Sequence, residues 1–427
     1  MKIEEFLEKK VTRNTQIKLL IVSSLFWATA AAGVMVMSLT LPKISAFYNI
    51  PQTKTSLIAS FTFLGMLVGA TIFGNLADYF GRKALITATL VLTAIFTALT
   101  GVTLNFNLLL VVRFLAGLGM GGLLPVVNAY LTEFSPKFVR GRNLVLLEAS
   151  WAIGSIIIGI VAVTAGKVKW QIDYYVFLLS LAFLLTLIKI PESPKFLLKK
   201  NRIEALKKNL KQIGIQEIPE MEVEEEKTYK VPIANLFKKG FAGRTLMVWY
   251  MWFAISFAYY GFFSWLPKII SKLINTTLTT STLYVFTLLV MQLPGYLLAA
   301  YFVEKIGRKV TLFASFLLTG IMAYFFARSG SNTSLLVNGS LMTIFCMSAW
   351  GVVYAYTPEL FPTEFRASAN GSAGSWARVA GIIAPLYISV LFNKNLIFAI
   401  TFLGIILLIA AVWVLIKGVE TKAKEIG

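Results

Sequence analysis

Two short charged segments occur twice in this chain at one fixed spacing. GNLADYFGRK (74–83) returns as AAYFVEKIGRK (299–309), and EFSPKFVRG (133–141) returns as ELFPTEFRAS (359–368). Asp78 and Glu304, Arg82 and Arg308, Glu133 and Glu359, and Arg140 and Arg366 all stand 226 residues apart. Two unrelated motifs that share one offset identify a tandem duplication. Each motif is a short charged loop between long apolar stretches. A duplicated bundle of membrane helices with charged hinges on one face is the build of a secondary transporter.

The apolar stretches set the fold class. Hydrophobic residues make up 57% of the 427, charged residues 14%, and the mean hydropathy is +0.75. Twelve runs are long enough to cross a hydrocarbon core of about 30 Å. They are read at 17–41, 55–77, 84–103, 106–132, 144–166, 172–190, 245–267, 279–303, 310–328, 333–357, 368–392 and 395–417. Their length and lack of strict alternation exclude a barrel. The expected fold is an all-α membrane protein of twelve transmembrane helices in two pseudo-symmetric six-helix halves, 1–190 and 245–427, joined by a linker at 191–244. Within the linker, PESPK (191–195) stops the sixth span. Residues 196–213 read as one amphipathic basic helix with Phe196, Leu197, Ile203, Leu206, Leu210 and Ile213 on its apolar side. An acidic stretch, Glu217 to Glu226, follows, and the whole reads as a solvated connector.

Charge orients the bundle. Forty Lys and Arg stand against twenty Asp and Glu. With the N-terminus in the cytoplasm, the outer loops hold only about eight basic residues and nearly all the rest fall inside, so both termini are expected to be cytoplasmic. Basic residues split among short loops point to topology and lipid headgroups, not to nucleic acid. The chain has no histidine and a single cysteine, Cys346, in an apolar run. Metal sites, cofactors and general-base chemistry lose their usual residues, and an enzyme is not expected. No phosphate-binding glycine loop of the GxxxxGK[ST] type is present, which argues against direct ATP drive.

The charged loop resembles that of the major facilitator superfamily. The segment RFLAGLGMGGLLPVVNAYLTEFSPKFVRGRNLVLLEASWAIG (113–154), with PESPK and PELFPTEFR (358–366), is similar to a narrower group, the sugar-porter-like and synaptic-vesicle-protein-related metabolite carriers. That group includes niacin and organic-ion transporters. The resemblance covers nearly the whole chain. It implies a plasma-membrane carrier for a small molecule that works by alternating access, expected to act as a monomer. The gating residues are then expected in the duplicated loops: Asp78, Arg82, Glu133, Arg140, Glu304, Arg308, Glu359 and Arg366. Gly117, Gly119, Gly121 and Gly122 in span four give a nearly bare helix face on which a neighbour can pack or slide.

Intramembrane charges are the sharper clues, because each costs about 2.5–3.5 kcal/mol at mid-helix on insertion scales. Arg113 lies in the outer third of span four and Glu148 lies early in span five. Arg378 lies about eleven residues beyond the turn at 366–367, roughly 16 Å along span eleven. It faces either a substrate or a carboxylate on another helix, with Glu148 as the candidate partner. Organic-anion and niacin carriers resemble SWARVAGIIAPL (375–386) and hold an arginine there, which suits a carboxylate through its planar fork. Glu148, Asn128, Trp151, Tyr260, Gln292 and Trp350 are expected to line the substrate site with Arg378, and Glu148 is the candidate proton carrier. Span one of the relatives carries acidic residues. Here FWATAAAGVMVMS (26–38) has none, and Leu123 replaces the group's glutamate in span four.

The expected substrate is a small organic anion, with aromatic and heterocyclic monocarboxylates as candidates, and proton symport stays open. A neutral sugar or polyol carrier is the alternative within transport, favoured by PESPK and disfavoured by Arg378. A non-transporting membrane receptor for a metabolite is the alternative outside it. Such a receptor is expected to carry a long signalling tail, which the ten or so residues beyond Lys417 do not supply.

Overall fold

Backbone groups in hydrocarbon must be satisfied within the chain, so the apolar runs fold as helices. The structure, a computed structural model, describes residues 3–215, 232–238 and 240–422. Its helices are α1 (Ile3–Lys10), α2 (Arg13–Phe47), α3 (Gln52–Phe80), α4 (Arg82–Leu99), α5 (Phe106–Phe134), α6 (Lys137–Val163), α7 (Ile172–Tyr175), α8 (Leu184–Ile188), α9 (Pro194–Lys199) and α10 (Ile203–Gln212). They continue as α11 (Ala242–Ser264), α12 (Leu266–Leu273), α13 (Leu278–Val290), α14 (Gln292–Ile306), α15 (Arg308–Ala327), α16 (Asn332–Glu359), α17 (Thr363–Leu391) and α18 (Leu396–Lys417). Among the described residues there is no strand. Eleven segments are long and apolar enough to cross a membrane, and a shorter apolar one, Ile172–Ile188, stands where the sixth of the twelve spans is expected.

Three details differ from the expected helices. Span six is α7 and α8 joined by a 3₁₀ run, Val176–Phe183. Span eight breaks at Met291 between α13 and α14. Pro294 has no N–H for the carbonyl of Val290, which loosens the helix there. The linker's amphipathic segment is two helices, not one. Asn201 adopts φ 53°, and Arg202 N–H donates to the Leu197 carbonyl at 2.9 Å, which closes α9 before α10 begins. Nor is this segment a bare connector. Phe196, Leu197, Leu206 and Leu210 form a buried apolar cluster with Ile3, Phe6, Leu7 and Val11 around α1. The acidic stretch 217–226 lies outside the described residues.

The chain forms two compact units. The first comprises Met1–Gly33, Gly65–Gly154 and Tyr174–Thr228, and the second Val34–Leu64, Ser155–Asp173 and Tyr229–Gly427. In the first, α4 packs along α5. The glycine-lined face of α5 is a packing surface: a Cβ on Gly121 would stand 2.1 Å from the Met66 carbonyl of α3, and one on Gly119 would stand 2.6 Å from the backbone of Thr93 in α4. The reverse holds for Gly65 of α3, whose Cβ would lie 2.0 Å from the Phe114 carbonyl of α5. In the second unit, α15 packs on α16 and α18, and α11 on α17 and α18.

Backbone atoms cannot retreat as a side chain can, so Gly65→Val is expected to cost about 3 kcal/mol. Gly74→Val, where a Cβ meets nothing within 4 Å, serves as the control. Thermal midpoints of the two purified variants decide the matter, and equal midpoints would contradict backbone contact between α3 and α5.

Candidate functional site

Helices leave their first N–H groups without intrahelical partners. Several helices here supply their own caps, among them Asn105 for α5, Ser193 for α9, Thr277 for α13, Ser331 for α16 and Asn395 for α18. The two that follow the duplicated loops do not. Their caps are Gly81 (φ 96°) and Gly307 (φ 98°), positions that favour glycine and bring no side chain.

The missing cap arrives from the far end of each half. Glu192 accepts from Arg82 N–H at 3.0 Å and from Lys83 N–H at 3.1 Å. Glu420 accepts from Arg308 N–H at 2.8 Å and from Lys309 N–H at 3.1 Å. A Cβ on Gly81 would meet the Glu192 carboxylate at 2.8 Å, and one on Gly307 would meet Glu420 at 2.4 Å.

Around these caps the two loops build the same network. The Arg82 guanidinium donates to Glu133 at 2.8 and 3.0 Å, pairs with Asp78 at 2.9 Å and donates to the Ala77 carbonyl at 2.7 Å. Arg308 repeats this with Glu359 at 3.0 Å, Glu304 at 3.9 Å and the Val303 carbonyl at 3.3 Å. Ser193 donates to Glu133 and Thr421 to Glu359. Tyr130 donates to the Pro191 carbonyl and Tyr356 to that of Val419, each at 2.7 Å. Arg140 and Arg366 stand apart from the ion pairs, each donating to a carbonyl five residues back, Ser135 and Phe361.

Glu192, Ser193 and Tyr130, with Glu420, Thr421 and Tyr356, are the members that the repeat analysis missed. Pro191-Glu192-Ser193 and Val419-Glu420-Thr421 are themselves a repeat, at an offset of 228. The two-residue slip and the loss of proline hid it.

Partial burial raises the affinity of the Glu420 carboxyl for a proton. The backbone N–H donors of Lys422, Arg308, Lys309 and Thr421 outweigh this and hold it below the usual glutamate range. A depressed folded value contributes stability above the unfolded value, about 4.3, and loses it as pH falls through the folded one. Glu420→Gln should therefore melt lower than the parent at neutral pH, with the gap closing below the ordinary glutamate range. A gap that stays constant into acid would remove the carboxylate from the stability of this loop.

The intramembrane candidates fall in both units. In the first, Arg113 is fully buried in α5, donates to the Gly33 carbonyl of α2 at 3.2 Å and lies 5.8 Å from the Tyr174 ring centroid. Glu148 and Trp151 are buried in α6, and Asn128 is half-buried in α5.

In the second unit, Arg378 is half-buried in α17 and makes no hydrogen bond or ion pair with any described residue. Gln292, fully buried at the start of α14, donates from Nε2 to Tyr259 Oη at 3.3 Å, and its Oε1 has no partner among the described residues. Trp350 lies 6.1 Å from Tyr259 and 5.9 Å from Trp252, edge to face in both cases, and stacks on Tyr354 at 5.8 Å. Trp252, which the sequence analysis passed over, bonds Thr357 Oγ1 at 2.9 Å and so fixes one edge of this cluster.

Tyr260 belongs to a different arrangement. It packs on Phe63 at 4.3 Å, and Phe63 fills the space where a Cβ on Gly381 would sit. Nearby, Ser60 donates to the Ile382 carbonyl at 2.7 Å, and Trp265 donates to Ser56 Oγ and to the Pro385 carbonyl, both at 3.2 Å. Within the second unit, these contacts pack the first turns of α3, away from the charged loops, against α11, Trp265 and α17.

The chain matches the family model described as "Sugar (and other) transporter" over residues 5–426. It is 34% identical over 417 residues to the niacin transporter NiaP of Acinetobacter baylyi, spanning 96% of this chain and 95% of that protein. It is 25% identical over 450 residues to the synaptic vesicle 2-related protein of Xenopus laevis, spanning 99% and 81%. Among solved structures it is similar to the inward-open xylose transporter XylE from E. coli, with a TM-score of 0.78, 18% identity, and coverage of 96% and 98%.

Proposed function

Because the chain belongs to the sugar (and other) transporter family of the major facilitator superfamily, multi-pass membrane carriers and not enzymes, we propose that it moves a small organic anion by alternating access. The favoured substrate class is an aromatic or heterocyclic monocarboxylate such as niacin. The proposed organisation is two six-helix halves, 1–190 and 245–427, around the linker 191–244. The proposed location is the plasma membrane with both termini cytoplasmic, on the asymmetry of basic residues.

The observation that carries the substrate class is Arg378. A guanidinium at this depth that meets no carboxylate or carbonyl among the described residues is poised for an anion, and its planar fork matches both oxygens of a carboxylate. The cluster of Trp252, Trp350 and Tyr354 offers ring faces and edges to a flat substrate. The 34% identical relative is named for niacin, which has both features. In this reading the charged networks hold the helix ends of each half together, and their release accompanies the turn of the cycle.

Thermal shift of the purified protein tests this directly, because any ligand that binds the folded state stabilises it. Nicotinate should raise the midpoint, and nicotinamide, which lacks the carboxylate, should raise it far less. Arg378→Lys should weaken nicotinate binding at least tenfold and Arg378→Ala should nearly abolish uptake, both in folded protein. Undiminished anion affinity in Arg378→Ala would refute the assignment.

A neutral sugar or polyol is the second reading, favoured by the buried, unpartnered Oε1 of Gln292. That acceptor suits a hydroxyl donor. A midpoint raised by xylose and untouched by carboxylates would decide for it.

Proton symport rests on Glu148, a buried carboxyl in a chain without histidine. A symported proton needs a group that can bind and release it, and a carboxyl is one that can. In reconstituted vesicles, Glu148→Gln is expected to lose gradient-driven accumulation and to keep counterflow exchange of labelled substrate. Full accumulation by this variant would end the proposal, and loss of both activities would mark Glu148 as structural.

A further inference from the structure

The linker helices carry a cationic face whose position is fixed by hydrogen bonds, not by an apolar side seeking lipid. Leu206 and Leu210 of α10 are spent in the cluster with α1 and α9. The opposite side exposes Lys207, Lys208 and Lys211, and the turn before it exposes Lys199, Lys200 and Arg202. Glu204 is the one carboxylate within 199–212, and it lies 3.6 Å from Lys207.

Two bonds tie this face to the end of span six and the turn beyond it, and a third ties α4 to the same stretch. Gln212 donates to the Ile188 carbonyl at 3.1 Å, Asn209 to that of Glu192 at 3.5 Å, and Lys83 to that of Ile190 at 2.9 Å. Ile188 and Leu185 are 71% and 65% exposed, as expected for side chains that meet lipid. The basic face is therefore held at the edge of the hydrocarbon. Beside it, Tyr79 and Phe80, at the end of α3, are 62% and 65% exposed, and the Lys200 ammonium lies 5.7 Å from the Tyr79 ring centroid. Exposed aromatics at a span's end, with a cation over one ring, are the makings of a membrane-interface contact.

We propose that this face seats the headgroup of an anionic phospholipid from the leaflet on the side of the charged loops. Lys199, Lys200, Lys207 and Lys208 draw the phosphate, while Tyr79 and Phe80 rest at the boundary between headgroup and acyl chain. Phe196 of α9 and Glu192 just before it both lie against Gly81, and Glu192 caps α4. Lipid that steadies α9 and α10 therefore steadies the first charged loop.

The test titrates the detergent-purified full chain with short-chain phosphatidylglycerol, with the matching phosphatidylcholine, and with inorganic phosphate, reading the thermal midpoint. Phosphatidylglycerol should raise the midpoint and the other two should not. The combined variant Lys199→Gln, Lys200→Gln, Lys207→Gln and Lys208→Gln changes only exposed side chains, so it should melt as the parent does without lipid. Each charge removed should raise the half-saturating concentration roughly fivefold, which abolishes the shift over the same range. In the parent, raising salt should weaken the effect, which keeps the question decidable if the variant folds poorly. Equal shifts with phosphatidylcholine, a shift reproduced by inorganic phosphate, an unchanged response in the variant, or indifference to salt would each overturn the proposal.

Discussion

A helix that begins after a glycine turn at the membrane edge has N–H groups and no side chain of its own to satisfy them. That constraint organises both charged loops. A carboxylate is brought in from beyond the last span of the same half, Glu192 to α4 and Glu420 to α15. Once it is there, the adjacent guanidinium needs counter-charge of its own, because a partly buried cation with unmet donors is costly. Arg82 takes Glu133, Asp78 and the Ala77 carbonyl, and Arg308 takes the matching three. One capping requirement thereby fastens the loop between two spans, the end of a third and the end of the half. Glycine is required at positions 81 and 307 both by the turn and by the carboxylate packed on it.

The fold was legible because hydrophobic length is a one-dimensional property. Eleven long apolar segments, one of them broken at Met291, fall where the apolar runs lie, and the duplication exposed Arg82, Glu133, Arg308 and Glu359 before any geometry was known. What stayed hidden depends on partners distant in sequence. Glu192 and Glu420 sit among loop residues, and nothing local marks them as caps for helices more than a hundred residues away. The break at Asn201 is one residue in a left-handed conformation within an otherwise helical pattern. The packing of α1 on α10 joins two short amphipathic segments whose apolar sides have no partner nearby in sequence. In the candidate site, depth marked out Arg378, Gln292 and Trp350. The role of Trp252 depends on its contacts with Trp350 and Thr357, which no periodicity reveals.

The charges inside the spans make a consistent set. Relatives that resemble this chain carry acids in span one, and their counterpart here is apolar. Arg113 donates instead to the Gly33 carbonyl, in the same stretch of α2. The Gly33 carbonyl meets the buried guanidinium with a dipole, one part of what compensates its charge. Glu148 is a second buried ionisable side chain of the first unit, in α6. Arg378 meets neither a carbonyl nor a carboxylate among the described residues, and the proposed anion site rests on that. The fold thus gives the two arginines different surroundings, one fully buried against a carbonyl and one half-buried.

The two charged loops have kept one geometry but not one environment. Side-chain exposure of Glu133 is 9% against 34% for Glu359, and that of Asp78 is 43% against 78% for Glu304. The distance from the guanidinium to the nearer acid of its own turn lengthens from 2.9 to 3.9 Å. Removing one partner of a buried pair strands a charge and costs about 3–5 kcal/mol, whereas exposed pairs contribute about 0–1 kcal/mol. The first loop therefore sits toward the buried limit and the second toward the exposed one. Any movement that opens both networks draws most of its energetic cost from the first. That loop also packs against α9, the helix that joins it to the linker and α1, while the second is closed by the short segment after α18. The duplication thus produced two similar fasteners of unequal strength, with the stronger one tied to the connector between the halves.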